Sequence, residues 1–311
     1  MKRLVNTLDL PKTEWLRYRK LGITGTDAGA ICGMNPFRSA FEVYHDKLNT
    51  DIIESEDNEA MRQGRDLEEY VAQRFCEATG YKVRRANAIF CNEEYPFMLA
   101  DFDRLIVGMD AGLECKTVSP YGADKWANGN IPAHYQLQCQ HYMAVSGAKS
   151  WFIAALIYGK ELIIREIKRD EELTKFLITI ESKFWNENIQ KRIMPDPDGT
   201  KKCSEEIAKM YFKSDSEQTI SLIGFDETLR RRDELSELIE KLEKEKASID
   251  QRIQLEMGEA GYAVSDNYRI SWLTTESRRI DTKRLKEERP DLYQDYSKVS
   301  TCRRFLVKPA A

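Results

Sequence analysis

The chain has 311 residues, 41% of them hydrophobic and 32% charged, the balance expected of a water-soluble protein with one large domain or two smaller ones. No apolar run approaches the ~18 residues that span a bilayer, the opening MKRLVNTLDLPKTEW holds no apolar signal core, and the seven cysteines form no CxxC pair, which argues against a disulfide framework, a zinc site or an iron–sulfur cluster. The net charge of −4 hides a local asymmetry that a polyanion could use: residues 278–308 carry ten bases against five acids, the first forty residues seven bases against three acids, and 51–69 eight acids against two bases.

In chain order, the pattern predicts a compact α/β region over 1–193, a linker over 194–200 and a C-terminal extension over 201–311. Thr24-Gly-Thr-Asp27 reads as a helix start with Gly33 as its stop, and Ser39-Ala-Phe-Glu42 as a capping box. Residues 58–79 form a longer helix, with Leu67, Val71 and Phe75 at i, i+4 spacing and Gly80 at its end. Strands follow near 82–91, 97–107 and 111–118. A helix from about Ala133 to Ser146 lies between Pro132 and Gly147. Residues 151–167 read as a hairpin through Gly159-Lys160, and a helix near 170–190 closes the region. The breaker cluster MPDPDGT, Met194 to Thr200, marks the boundary. Beyond it, 226–257 is a helix with 17 charged residues out of 32 and a narrow apolar stripe, Leu235, Leu238, Leu242, Ile249 and Ile253. A strand pair turning at Asp266-Asn267 follows, then a basic tail ending in a strand-like RRFLVK.

The segment LADFDRLIVGMDAGLECKT, Leu99 to Thr117, carries the chemistry. Side chains alternate along a strand, so Glu114 and Lys116 share one face while Leu113, Cys115 and Thr117 share the apolar one. A fold-back near Gly108-Met109 sets Asp103 opposite Glu114; a slip of one residue would send Asp103 to the other face. Two acids so close repel unless a cation lies between them. Mg²⁺ suits hard oxygen ligands and an incomplete protein shell, with Lys116 beside it to orient water and stabilise charge on a phosphate.

With these residues in place, the sequence resembles the PD-(D/E)xK nucleases, through Asp103 and Glu114-Cys115-Lys116, although Phe102 stands where the family name has proline. More narrowly, the first 190 residues resemble the lambda-exonuclease group and its YqaJ-type viral recombinase branch. The segments WLRYRKLGITGTDAGAICGMNPF, GRDLEEYVAQRF, ADFDRLIVGMDAGLECKT and HYQLQCQHYMAV carry that resemblance in the family's order. It implies a restriction-endonuclease-like α/β core, a mixed central β-sheet flanked by helices; the C-terminal α+β extension with its long charged helix lies beyond the resemblance, and lambda-type cores lack one so long.

The resemblance also assigns roles. Asp103, Glu114 and the Cys115 carbonyl would hold Mg²⁺, two ions in all with Mn²⁺ able to substitute, and Lys116, Glu68 and Gln140 would complete the catalytic set. Gln138 is a further candidate, with Gln140 preferred for the contact to metal-bound water. Arg19 and Thr26 would hold a 5′-phosphate, since free N–H groups, a hydroxyl and a guanidinium make an anion site. His134 and His141 read as packing or DNA-facing residues.

The implied function is a 5′-to-3′ exonuclease on double-stranded DNA ends, leaving 3′ tails for a single-strand annealing protein in phage-type recombination. The expected setting is the cytoplasm of a bacterial host, encoded by a phage or prophage, with no membrane partner and a homo-oligomer left open. Two alternatives stand beside it: a structure-specific or nicking endonuclease of the same fold, and a non-catalytic DNA-binding or scaffold protein docking through 226–257.

Overall fold

The computed structural model describes residues 1–52 and 58–308; part of the acidic run and residues 309–311 lie outside them. The chain divides into Met1–Tyr211 and a second unit from Phe212 onward.

A five-stranded sheet in the order β2-β5-β6-β7-β8 centres the first unit, formed by β2 (Val83–Arg84), β5 (Arg104–Ile106), β6 (Ala111–Val118), β7 (Ser150–Ile157) and β8 (Glu161–Lys168). The β6–β7 pair is parallel and the others antiparallel, so the sheet is mixed. A parallel pair needs a crossover. Here it is a 3₁₀ segment, Pro120–Gly129, followed by α5 (Ala133–Ser146).

The period-2 pattern of β6 sorts its residues between two helical layers. Leu113 and Ala111 turn to α4 (Glu59–Thr79), packing with Val71, Ala72 and Phe75. The opposite face meets α5, where Trp151 packs among Phe102, Tyr142 and Met143. Gly112 is required there, because a Cβ at that position would lie 2.2 Å from the Trp151 ring.

The expected strands at 82–91 and 97–107 each break in two. β2 and β5 stay with the central sheet, while β3 (Ala88–Cys91) and β4 (Leu99–Asp101) form a separate antiparallel sheet with β1 (Lys2–Asn6) in the order β1-β3-β4. Asn87, at φ +47°, turns the chain between β2 and β3. Phe102 breaks the second strand by burying its ring 4.9 Å from Trp151. Asp101 and Asp103 therefore flank the point where the chain passes from one sheet to the other.

Around this core the unit also carries α1 (Lys12–Lys20), α2 (Gly25–Ile31), α3 (Ala40–Leu48) and α6 (Glu171–Lys183), the last running on into a wider π turn at Phe184–Ile189. Two glycines let α2 lie close on α5: a Cβ on Gly25 would meet the Tyr142 ring at 2.5 Å, and one on Gly29 the His134 Cβ at 3.0 Å.

The boundary expected at 194–200 falls later. Thr200 caps α7 (Lys201–Met210), whose buried Cys203 packs it onto the first unit beside α3. In the second unit, α8 spans Asp226–Met257, the full length of the expected charged helix, and β9 (Tyr262–Val264) pairs antiparallel with β10 (Arg269–Ser271) about the expected turn. The tail departs from expectation. No strand forms over 301–308; instead α9 (Thr282–Glu288), capped by Asp281, and α10 (Pro290–Asp295) precede it. Pro290 occupies the first turn of α10, where its missing N–H costs nothing.

Candidate active site

β5 and β6 pair Arg104 with Leu113 and Leu105 with Gly112. One further step of that register sets Asp103 across from Glu114 and turns both toward α5. Asp103 Oδ2 accepts from the Cys115 N–H at 2.8 Å. A strand residue's N–H and C=O point to the same edge, so the Cys115 carbonyl is directed to that side as well. Lys116 donates to Glu114 Oε1 at 2.6 Å. Its ammonium also lies 4.9 Å from the centre of the Tyr135 ring.

From α5, the Gln138 amide donates to the same Glu114 oxygen at 2.7 Å and to the Tyr142 hydroxyl at 2.8 Å. Glu114 Oε2 is buried and has no partner among the described residues.

Burial and the nearby Glu114 charge hold the Asp103 carboxyl well above its ordinary range. Burial also raises Glu114, outweighing the Lys116 ammonium that opposes the shift. Burial works to lower Lys116, but Glu114 and Asp103 outweigh it and keep the ammonium above its ordinary value. Two buried carboxyls thus face a single ammonium, and ionising both would leave more negative charge than Lys116 alone offsets. Among the described residues no trio of His, Cys, Asp or Glu side chains forms a metal cage. The donors on offer are two carboxylates and a carbonyl, all hard oxygens, and one of those oxygens is orphaned. That set fits a cation that keeps water in several positions, as Mg²⁺ does.

Glu68, on α4, is brought near but not into this group. It pairs with Arg104 at 2.6 Å, and its charge helps to raise both Asp103 and Glu114. The preference for Gln140 over Gln138 is reversed. Gln140 donates to the Lys168 carbonyl at 2.8 Å and accepts from the Asp170 N–H at 3.1 Å, so both of its polar ends tie α5 to the β8–α6 junction. Residues two positions apart on a helix are separated by about 200°; when Gln138 faces Glu114, Gln140 must face away.

Arg19 and Thr26 do come together. Arg19 reaches Thr24 Oγ1 and Thr26 Oγ1, each at 3.3 Å, and pairs with Asp101 at 2.5 Å. Its guanidinium also stacks 4.4 Å from the Trp15 ring centre. Beneath them lies Asp27, fully buried and salt-bridged to Lys47 at 2.8 Å and Arg38 at 2.6 Å. Burial works to raise the Asp27 carboxyl, but these two cations outweigh it and hold it far below the carboxylate range.

Both histidines are inward. His141 is fully buried, with Nδ1 2.9 Å from Glu181 and Nε2 2.8 Å from the Leu99 carbonyl. His134 packs edge-on to Phe37, and burial together with Lys116 and Lys125 depresses its pKa to about 4.

Sequence reasoning passed over Tyr142, Arg104, Asp101 and Trp15. Tyr142 was within reach, since it lies four residues after Gln138 on one helical face. The other three depend on tertiary placement that no local pattern encodes.

The family model described as a YqaJ-like viral recombinase domain matches residues 14–149, a span that contains Arg19, Glu68, Asp103, Glu114, Lys116 and both glutamines. A Bacillus subtilis (strain 168) protein named "Uncharacterized protein YqaJ" is 36% identical over 308 residues, which cover 98% of this chain and 97% of that protein. The crystal structure of an alkaline exonuclease, LHK-Exo, from Laribacter hongkongensis is 20% identical, with a TM-score of 0.51 over 63% of this chain and 98% of its own. The same protein in complex with dAMP gives a TM-score of 0.50 at 19% identity, over 64% and 96% of the two chains. At those identities the likeness is one of fold. The near full-length match is of another kind, and by it the chain belongs to the YqaJ-like viral recombinase family.

Proposed function

We propose that this chain is a Mg²⁺-dependent DNA exonuclease that digests the 5′-ended strand of a double-stranded end and leaves a 3′ tail for a single-strand annealing protein. The observation that carries the reading is the convergence of Asp103 and Glu114, both raised by burial, with Glu114 Oε2 buried and unpartnered beside Lys116. The recombinase family and a fold shared with an alkaline exonuclease support it.

Asp103, Glu114 and the Cys115 carbonyl are the residues that would hold Mg²⁺, with Mn²⁺ able to substitute and two ions the expected number. When bound, the cation supplies a Lewis acid for a phosphoryl oxygen and a more acidic water. Gln138 and Lys116 fix Glu114 through Oε1 and so leave Oε2 for the cation. The persistently charged Lys116 ammonium is placed to stabilise charge that builds on the phosphate. Arg19 and the hydroxyls of Thr24 and Thr26 offer a terminal phosphate several donors from a guanidinium already fixed by Asp101 and Trp15. That arrangement supports the 5′ polarity.

Linear duplex labelled at one end, with and without a 5′-phosphate, tests the reading when incubated in Mg²⁺ alongside closed circular DNA. The expected result is release from 5′-phosphorylated ends with circles left intact. Release from 3′ ends alone would overturn the polarity, and cutting of closed circles would favour an endonuclease.

A further inference from the structure

Asp103 and Arg104 are consecutive, so their side chains leave the chain on opposite faces of the sheet. Asp103 turns to the Glu114 side. Arg104 turns to the α4 side, where it is 3% exposed. There its guanidinium meets three acceptors. One nitrogen, Nη1, donates to Glu68 Oε1 at 2.6 Å and to the carbonyl of Asp103 at 2.6 Å. The other, Nη2, donates to Glu69 Oε2 at 2.9 Å, and Glu69 is shared with Arg85 at 2.6 Å. A planar fork can hold these acceptors at once; a lysine ammonium has no such geometry. Behind the two carboxylates stands a nearly buried cation that grips the backbone of one of them and the side chain of Glu68, whose charge reaches both.

Resting on the cation-dependent reading above, we propose that Arg104 is a positioning residue: it tethers Glu68 and the Asp103 backbone, and by neutralising Glu68 it limits how tightly the Asp103–Glu114 site takes a divalent cation. Two consequences separate this role from simple structural support. Loss of the positive charge deepens the negative potential at the site, so a divalent cation binds more tightly. Loss of the fork frees Glu68 and Asp103 from their fixed positions, so turnover falls. A residue that merely held the fold would weaken both.

The test uses the full-length protein and Mn²⁺ as the probe, with free Mn²⁺ read by electron paramagnetic resonance and kcat and KM measured separately on linear duplex. Arg104→Gln is expected to tighten Mn²⁺ binding about threefold or more and to lower kcat with little change in KM. Arg104→Lys keeps the charge, so Mn²⁺ affinity stays near wild type while kcat falls. The double variant Arg104→Gln/Glu68→Gln removes one charge of each sign. It leaves no uncompensated buried ion and serves where the single variant does not fold; its Mn²⁺ affinity is expected to return to wild type with kcat still reduced. Unchanged or weaker Mn²⁺ binding in folded Arg104→Gln overturns the proposal, as does wild-type kcat in the double variant. Wild-type protein that binds no Mn²⁺, or whose binding survives Glu114→Gln, would instead overturn the cation reading itself.

Discussion

Gln138 donates to Glu114 Oε1 at 2.7 Å, and this bond decides which oxygen of Glu114 stays free. Lys116 takes the same oxygen, so Oε2 is left without a partner among the described residues. Gln138→Leu removes the α5 contact and lets the carboxylate rotate, and kcat is expected to fall about tenfold, the worth of one hydrogen bond to a charged group. Gln140→Leu unties the β8–α6 junction instead. It should cost about 1–3 kcal/mol of stability with kcat nearly intact. Denaturant melts and steady-state kinetics on the two variants check the contrast.

Gly25 couples the Arg19 cluster to this bond. A Cβ there would meet the Tyr142 ring at 2.5 Å and Gln138 Cγ at 3.1 Å. Gly25→Ala is therefore expected to cost about 1–3 kcal/mol through overpacking and to lower kcat by displacing Gln138. Gly64, in α4, is the contrasting case, since a Cβ there meets Thr117 Oγ1 at an ordinary 3.6 Å. Gly64→Ala should stabilise by about 0.5–1 kcal/mol, the usual gain inside a helix. Thermal melts compare the two.

The His141–Glu181 pair predicts a pH limit on stability. Nε2 faces a carbonyl and Nδ1 a carboxylate, so both nitrogens must carry protons when Glu181 is ionised. Burial works to lower the His141 pKa, but Glu181 outweighs it and raises the pKa. The stabilisation is therefore fully present below the ordinary histidine value of about 6.5 and is lost as pH rises through the raised folded value. Melting temperature should fall on that alkaline side. A His141→Gln/Glu181→Gln variant should show a flatter profile; an unchanged slope would mean the pair does not carry the effect.

Arg19 is fixed by Asp101 on one side and by Trp15 on its face, with Thr24 and Thr26 at its other nitrogen. Arg19→Lys keeps charge but loses the fork. The expected outcome is an increase in KM of about tenfold or more for 5′-phosphorylated ends and little change for 5′-hydroxyl ends. Equal losses on both substrates would place the phosphate elsewhere.

Much of this arrangement was legible in the sequence because it follows from short-range periodicity. The alternation through Glu114, Cys115 and Lys116 and the symmetry about Gly108-Met109 set Asp103 against Glu114, and the strands pair in that register. What was not legible depends on where the chain changes partners. Asn87 and Phe102 divert β3 and β4 into a second sheet, and nothing local distinguishes 97–107 from one continuous strand. Gln138 and Gln140 are equally polar; only the docking of α5 on β6 shows which one meets Glu114. Arg104 reads as an ordinary strand cation until α4 brings Glu68 and Glu69 over it. The division falls later than the expected linker because MPDPDGT breaks the helix without ending the core, which runs on through α7 to Tyr211.

On the proposed function, Asp103 and Glu114 together form the catalytic cation site. Nucleotide release from a 5′-phosphorylated linear duplex in Mg²⁺, compared among wild type, Asp103→Asn and Glu114→Gln, tests it most directly. Each variant removes one anionic ligand while keeping its shape, and release should fall about a thousandfold in both, as expected when a metal-based stabilisation of several kcal/mol is lost. Release at the wild-type rate from either folded variant would contradict the account.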